Sequence, residues 1–101
     1  MKKILLMCTA GMSTSMMVQK MQKSAEQRNI EVEVEAYGSE YFNEMIQQYD
    51  VVLLGPQLKY MHAEFKNRAA DYNKQVEVIN PMDYAVMNGE KVLDYALELI
   101  A

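Results

Sequence analysis

The chain has 101 residues, half of them hydrophobic, with ten Lys and Arg against fourteen Asp and Glu for a net charge of −4, and one cysteine. That length gives one domain, 1–101, with a core able to fold without staples, and a lone cysteine excludes an internal disulfide or a four-cysteine metal or iron–sulfur site and suits a reducing, cytoplasmic setting. The basic residues are dispersed, which argues against nucleic acid or an anionic membrane as the main partner, and no apolar run approaches the ~20 residues that cross a bilayer.

The first predicted element is a strand over 3–7, a continuous apolar run of the kind covered on both faces. Lys2-Lys3 ahead of it is not read as a signal peptide: the apolar stretch is shorter than the ~7–15 residues of a signal core, and Met7 is bulky where a small residue would precede cleavage. Cys8 ends this strand and opens Thr9-Ala10-Gly11-Met12-Ser13-Thr14-Ser15. Small side chains at Thr9, Ala10 and Gly11 let backbone amides turn inward, and Ser13, Thr14 and Ser15 are good helix-capping residues with hydroxyls to offer an oxyanion. The nucleophile is a thiolate rather than a thiol, so a working cysteine needs nearby positive potential, which a helix N-terminus supplies. A lone cysteine is often a small packing hydrophobe, but here the flanking loop favours a nucleophile that holds phosphate.

Further along, a helix over 13–28 presents Met17, Met21 and Ala25 on one face, and a strand over 30–36 alternates strictly between apolar residues and Glu31, Glu33 and Glu35. A helix is expected over 40–48 through Phe42, Met45 and Ile46, then an apolar strand over 51–54. Gly55-Pro56 turns the chain into a helix over 57–72 carrying Leu58, Met61, Phe65 and Ala69. A short strand over 76–79 and a helix over 90–100 with Val92, Leu93, Ala96, Leu97 and Ile100 complete the order βαβαβαβα. Right-handed crossovers make this an α/β fold with an open four-stranded parallel sheet of order 2-1-3-4 and helices on both faces. The switch point lies between the first and third strands, where such sheets bind ligands at their carboxyl ends. Cys8 ends one of these strands and Gly55 follows the other, which makes Gln57 and Tyr60 second-rank candidates on the rim of the same site.

Three stretches together resemble the lactose/cellobiose-type enzyme IIB component of the bacterial phosphotransferase system. They are the run Cys8 to Ser15 after an N-terminal strand, Val51-Val52-Leu53-Leu54-Gly55-Pro56-Gln57 with Tyr60-Met61, and Asp83-Tyr84-Ala85-Val86-Met87-Asn88-Gly89-Glu90-Lys91-Val92-Leu93. The first is the specific one, and Ala85 departs from the glycine often found after the tyrosine in that family. The resemblance covers essentially the whole chain and implies a relay. A IIA protein carries phosphate on a histidine, passes it to the IIB cysteine, here Cys8, and IIB hands it to a sugar held by the membrane permease IIC. The sugar class implied is a β-linked disaccharide of the cellobiose, lactose or chitobiose kind. No cofactor is implied, and the chain itself does not insert into the membrane.

Low-molecular-weight tyrosine phosphatases share the geometry, with Cys, five residues, Arg, then Ser or Thr; here that spacing gives Cys8, Thr14 and Ser15. Without the arginine there is no bidentate clamp on a pentavalent phosphoryl group attacked by water, and a long-lived phosphocysteine is expected. A thiol reductase would want a resolving cysteine. A non-catalytic phosphate or redox sensor gives no reason for the matches around Gly55 and Gly89.

Of the ten methionines, Met17 and Met21 lie on the buried stripe, whereas Met12 and Met16 share a polar face with Lys20 and Lys23 and are candidates for partner docking. His62, on the margin of an apolar stripe, is read as a packing residue without a role. Glu31, Glu33 and Glu35 are read as the solvated face of an edge strand, where like charges deter sheet-to-sheet association. The sequence shows no metal site.

Overall fold

The computed structural model describes residues 1–9 and 12–100, and of Met12 and Ser13 the backbone only. Four parallel strands, β1 (Lys2–Cys8), β2 (Val32–Gly38), β3 (Val51–Leu54) and β4 (Gln75–Val78), form one sheet in the order β2-β1-β3-β4. This is the expected α/β architecture. Strands β1 and β3 are central, and Ile4, Leu5, Leu6, Met7 and all four residues of β3 are fully buried, as their unbroken apolar runs require.

Alternation along β1 sorts the core into two halves. Ile4 and Leu6 pack with Met17 and Met21 of α1 (Met12–Gln27) and with Val92, Leu93 and Ala96 of the C-terminal helix, while Leu5 and Met7 pack with Phe42, Ile46, Leu58 and Phe65 on the opposite face. Helix α1 ends through Asn29 in the left-handed region at φ 55°, with Ile30 N donating to Ala25 O at 2.9 Å.

The helices beyond α1 depart from expectation in three places. Residues 39–48 form a 3₁₀ turn, the four-residue helix α2 (Phe42–Met45) and a second 3₁₀ turn rather than one helix. No side chain caps these turns, and burial of Phe42, Ile46 and Tyr49 against the sheet dictates the path instead. The helix expected over 57–72 is a 3₁₀ segment, Pro56–Met61, that leads into α3 (His62–Ala70), with a kink at Leu58 that drops this side chain into the core. Between β4 and the last helix lies the unanticipated five-residue α4 (Pro81–Ala85), capped by Asn80, whose Oδ1 accepts from Met82 N at 2.8 Å.

The C-terminal helix α5 (Gly89–Ile100) begins against the backbone of α1. A methyl group built on Gly89 would lie 2.5 Å from Lys20 C and 2.8 Å from Lys20 O, so this close approach of two helices requires glycine. Among the described residues, no helix is long and apolar enough to cross a membrane.

Candidate functional site

Cys8 ends β1, in the central pair of strands and at their carboxyl ends. By the alternation that sends Ile4 and Leu6 toward α1, its side chain faces α1 as well. Thr14, on the first turn of α1, meets it: Cys8 Sγ lies 3.2 Å from Thr14 Oγ1, either atom able to donate, with the two residues 1% and 0% exposed. The helix begins four residues beyond the sulfur, so the orphan amides and positive end of its dipole belong to the same turn of chain. Such an arrangement suits a group that gains negative charge on sulfur.

Of the expected loop residues, Thr9 and Ser15 are exposed and Thr14 is buried against the sulfur. Ala10 and Gly11, and the side chains of Met12 and Ser13, lie outside the described residues. Met17 and Met21 are buried completely, and Met16 is 55% exposed on the face shared with exposed Lys20 and Lys23.

The strand ends beside Cys8 are both glycines. Gly38 is its register partner on β2, and Gly55 follows β3, with Gly55 N donating to Met7 O at 2.8 Å. Each glycine is covered by the side chain two residues on. A methyl group on Gly55 would lie 2.6 Å from Gln57 Oε1 and 3.4 Å from Cys8 Cβ. A methyl group on Gly38 would collide with Glu40 Oε1 and lie 2.8 Å from Oε2. The carboxamide of Gln57 thus flanks Cys8 on the β3 side and the carboxylate of Glu40 on the β2 side. Of the two second-rank candidates, Gln57 lies over Gly55 beside Cys8, whereas Tyr60, one 3₁₀ turn on, is 77% exposed and projects into solvent.

Glu40 was not singled out in the sequence. The signal that would have found it is a repeated spacing: a glycine closing a strand next to the cysteine strand, then an acid or amide two residues later, as in Gly38-Ser39-Glu40 and Gly55-Pro56-Gln57.

Other groups stand apart from Cys8. His62 Nε2 is 2.9 Å from Val76 O and 3.3 Å from Glu77 Oε1, which ties α3 to the outer edge of β4 and agrees with a packing role. Glu33 approaches Lys3 Nζ at 3.7 Å, and Glu35 accepts from Tyr37 Oη at 3.3 Å; on this edge strand, where a solvated face was expected, Glu31 is exposed but Glu33 and Glu35 are half-buried by these partners. A cavity of about 330 Å³ lined by Val78, Ile79, Asn80, Asp83, Val92 and Tyr95 opens at the end of β4, two strands from Cys8. Among the described residues, no group of three His, Cys, Asp or Glu is placed to hold a metal ion.

Known proteins resemble this chain in sequence and fold. The family described as the lactose/cellobiose-specific IIB subunit of the phosphotransferase system matches residues 3–95. The chain is 43% identical, over 99% of its length and 97% of the relative's, to the oligo-beta-mannoside-specific EIIB component of Bacillus subtilis. Among solved structures, the cellobiose-specific IIB component of Borrelia burgdorferi is 40% identical with a TM-score of 0.82, covering 98% of this chain and 91% of that one. The lactose-specific IIB domain of Streptococcus pneumoniae superimposes with a TM-score of 0.88 over 99% of this chain and 98% of that one, at 20% identity, a likeness of fold.

Proposed function

This chain belongs to the lactose/cellobiose-specific IIB family of the sugar phosphotransferase system, and from that premise we propose that Cys8 carries the phosphoryl group between a IIA donor and a sugar held by a IIC permease. The observation that carries the proposal is the pairing of Cys8 Sγ with Thr14 Oγ1 at 3.2 Å, at the carboxyl end of a central strand and the start of α1.

In the forward step the sulfur attacks phosphorus as the P–N bond of the donor's phosphohistidine breaks. The bonding pair returns to the imidazole nitrogen, the thiol proton ends on that nitrogen, and an S–P bond has formed. The reaction asks for in-line approach and stabilisation of spread negative charge rather than extensive proton chemistry. Thr14 Oγ1 is within hydrogen-bond reach of the sulfur, and the loop from Thr9 to Ser15 supplies backbone amides to the phosphoryl oxygens. Gln57 contributes its carboxamide from the turn that follows β3. Met12 and Met16, with Lys20 and Lys23, are the residues on which IIA and IIC dock in turn, flexible thioethers suiting two different partners.

Thr14 stands where a phosphatase would place arginine, and that substitution preserves the phosphocysteine against water. The sugar is a β-linked disaccharide of the cellobiose, lactose or chitobiose kind, and the permease selects it.

The test is phosphorylation from phosphoenolpyruvate through the purified upstream proteins and a IIA protein, read by intact mass. Wild type gains one phosphoryl group that persists without a sugar acceptor, and Cys8→Ala gains none. Absence of the adduct while IIA is demonstrably phosphorylated, or rapid loss of inorganic phosphate from the isolated protein, would overturn the reading.

A further inference from the structure

We propose that the Glu40 carboxylate sets the transfer potential of the phosphoryl group on Cys8, destabilising the phosphorylated state so that the group is passed on readily. The inference rests on the carrier role of Cys8 argued above and adds a residue to it.

The geometry comes from two independent features of the sheet. Cys8 and Gly38 are register partners on neighbouring parallel strands, so their Cα–Cβ directions lie on one face, strands being about 4.8 Å apart. The space a Gly38 side chain would fill is taken by the Glu40 carboxyl group, with both oxygens against that position. The carboxylate therefore lies beside the strand end that carries the sulfur, on the same face as α1. On the other flank the equivalent space over Gly55 holds the neutral carboxamide of Gln57. The two strand ends are built alike, and the charge differs.

A phosphoryl group on Cys8 brings close to two negative charges into this space. The N-terminus of α1 attracts them, the carboxamide can donate to them, and Glu40 repels them. Repulsion present only in the phosphorylated state raises the free energy of that state and leaves the thiol form almost untouched. A relay intermediate benefits from such a term. A cysteine that held phosphate too firmly would accept it from IIA and fail to release it to a sugar hydroxyl. Because Glu40 is exposed, solvent and salt moderate the repulsion and leave an effect on the order of threefold to tenfold in the transfer equilibrium.

Glu40→Gln keeps the shape of the side chain and removes its charge, and Gln57→Glu adds a charge on the opposite flank. Wild type and both variants are mixed with phosphorylated IIA, and the equilibrium constant for transfer onto Cys8 is read by intact mass at low salt and at about 1 M salt, where the Debye length falls to about 3 Å. Glu40→Gln raises the constant roughly threefold to tenfold, Gln57→Glu lowers it, and both changes shrink at high salt. A merely structural role for either side chain would not give opposite signs or a salt dependence. A wild-type adduct with the same constant in all three proteins overturns the role of Glu40 alone. No adduct on wild type overturns the carrier reading, and this inference falls with it.

Discussion

On one face of the sheet α1 and α5 run for 16 and 12 residues, bury Met17, Met21, Val92, Leu93 and Ala96, and touch backbone to backbone at Lys20 and Gly89. On the other face the chain winds through short turns, and α2 and α3 have four and nine residues. There the core is drawn together by Phe42 and Phe65, stacked at 4.4 Å between ring centroids and 15° between planes. The first layer is built on long helices with periodic aliphatic stripes, and the second packs short turns around two stacked rings. Helices as short as α2 are marginal by themselves, so the second layer depends on tertiary contact to exist. The candidate site follows the same division. Cys8 faces the long-helix layer, where the first turn of α1 is held in place by a rigid four-turn helix behind it.

The sharpest way to break this comparison is to delete the ring contact. Phe65→Ala is expected to cost about 3–5 kcal/mol, since a fully buried aromatic is removed and the stacked partner loses its face. Hydrogen exchange separates the layers further. In this variant, amides over 42–48 and 62–70 exchange through local opening, and those of α1 and α5 exchange only with global unfolding. Equal loss of protection in both layers would show that the two halves of the core unfold as one and that the contrast has no energetic content.

The alkaline limb of stability offers a second contrast. Tyr49, buried in the second layer, has its phenol pushed up to about 12 by burial first, then by the charge of Glu35. In the unfolded chain it ionises near 10, so below that pH both states keep the proton and its contribution to stability is complete. As the pH rises from about 10 to about 12 the unfolded chain releases the proton first, and stability falls. Tyr95, in the first layer, is also raised by burial and by Glu77 and Glu98. Thermal melts across this range are expected to flatten more in Tyr49→Phe than in Tyr95→Phe; the reverse order would place the greater electrostatic load in the long-helix layer.

The contrast between layers also explains what the sequence made legible. The continuous runs over 3–7 and 51–54 and the stripes of α1 and α5 follow simple periods, so the sheet order and one helical layer could be read directly. Cys8 and Thr14 were legible because their spacing across a strand–helix turn brings them together. The broken turns after β2 and β3 were not, because Phe42, Ile46 and Leu58 sit at helical spacing yet tertiary burial bends the backbone away from a continuous helix. Helix α4 was hidden by its length, its clearest signal being Asn80-Pro81. Glu40 escaped notice because its placement beside Cys8 depends on Gly38 lying opposite Cys8, a relation that only strand register creates.

The smallest effect concerns the two open edges of the sheet, each closed by a side chain from a different layer. On β2, Gln22 of α1 donates from Nε2 to Val32 O and accepts at Oε1 from Val34 N, both at 3.2 Å. These are the two bonds that a residue of a further parallel strand would make, so one carboxamide occupies the pairing edge. On β4, the bond of His62 to Val76 O does half of this. Gln22→Leu leaves a donor and an acceptor without that partner and is expected to cost about 1 kcal/mol. The freed edge can then pair with a second copy, opposed at neutral pH by Glu31, Glu33 and Glu35. Sedimentation should therefore show little added association in Gln22→Leu alone and more when Glu31, Glu33 and Glu35 are also replaced by Gln. Unchanged stability in Gln22→Leu, with association that follows the glutamate replacements whether or not Gln22 is present, would mean that the glutamates alone guard the edge and that the layers do not share the task.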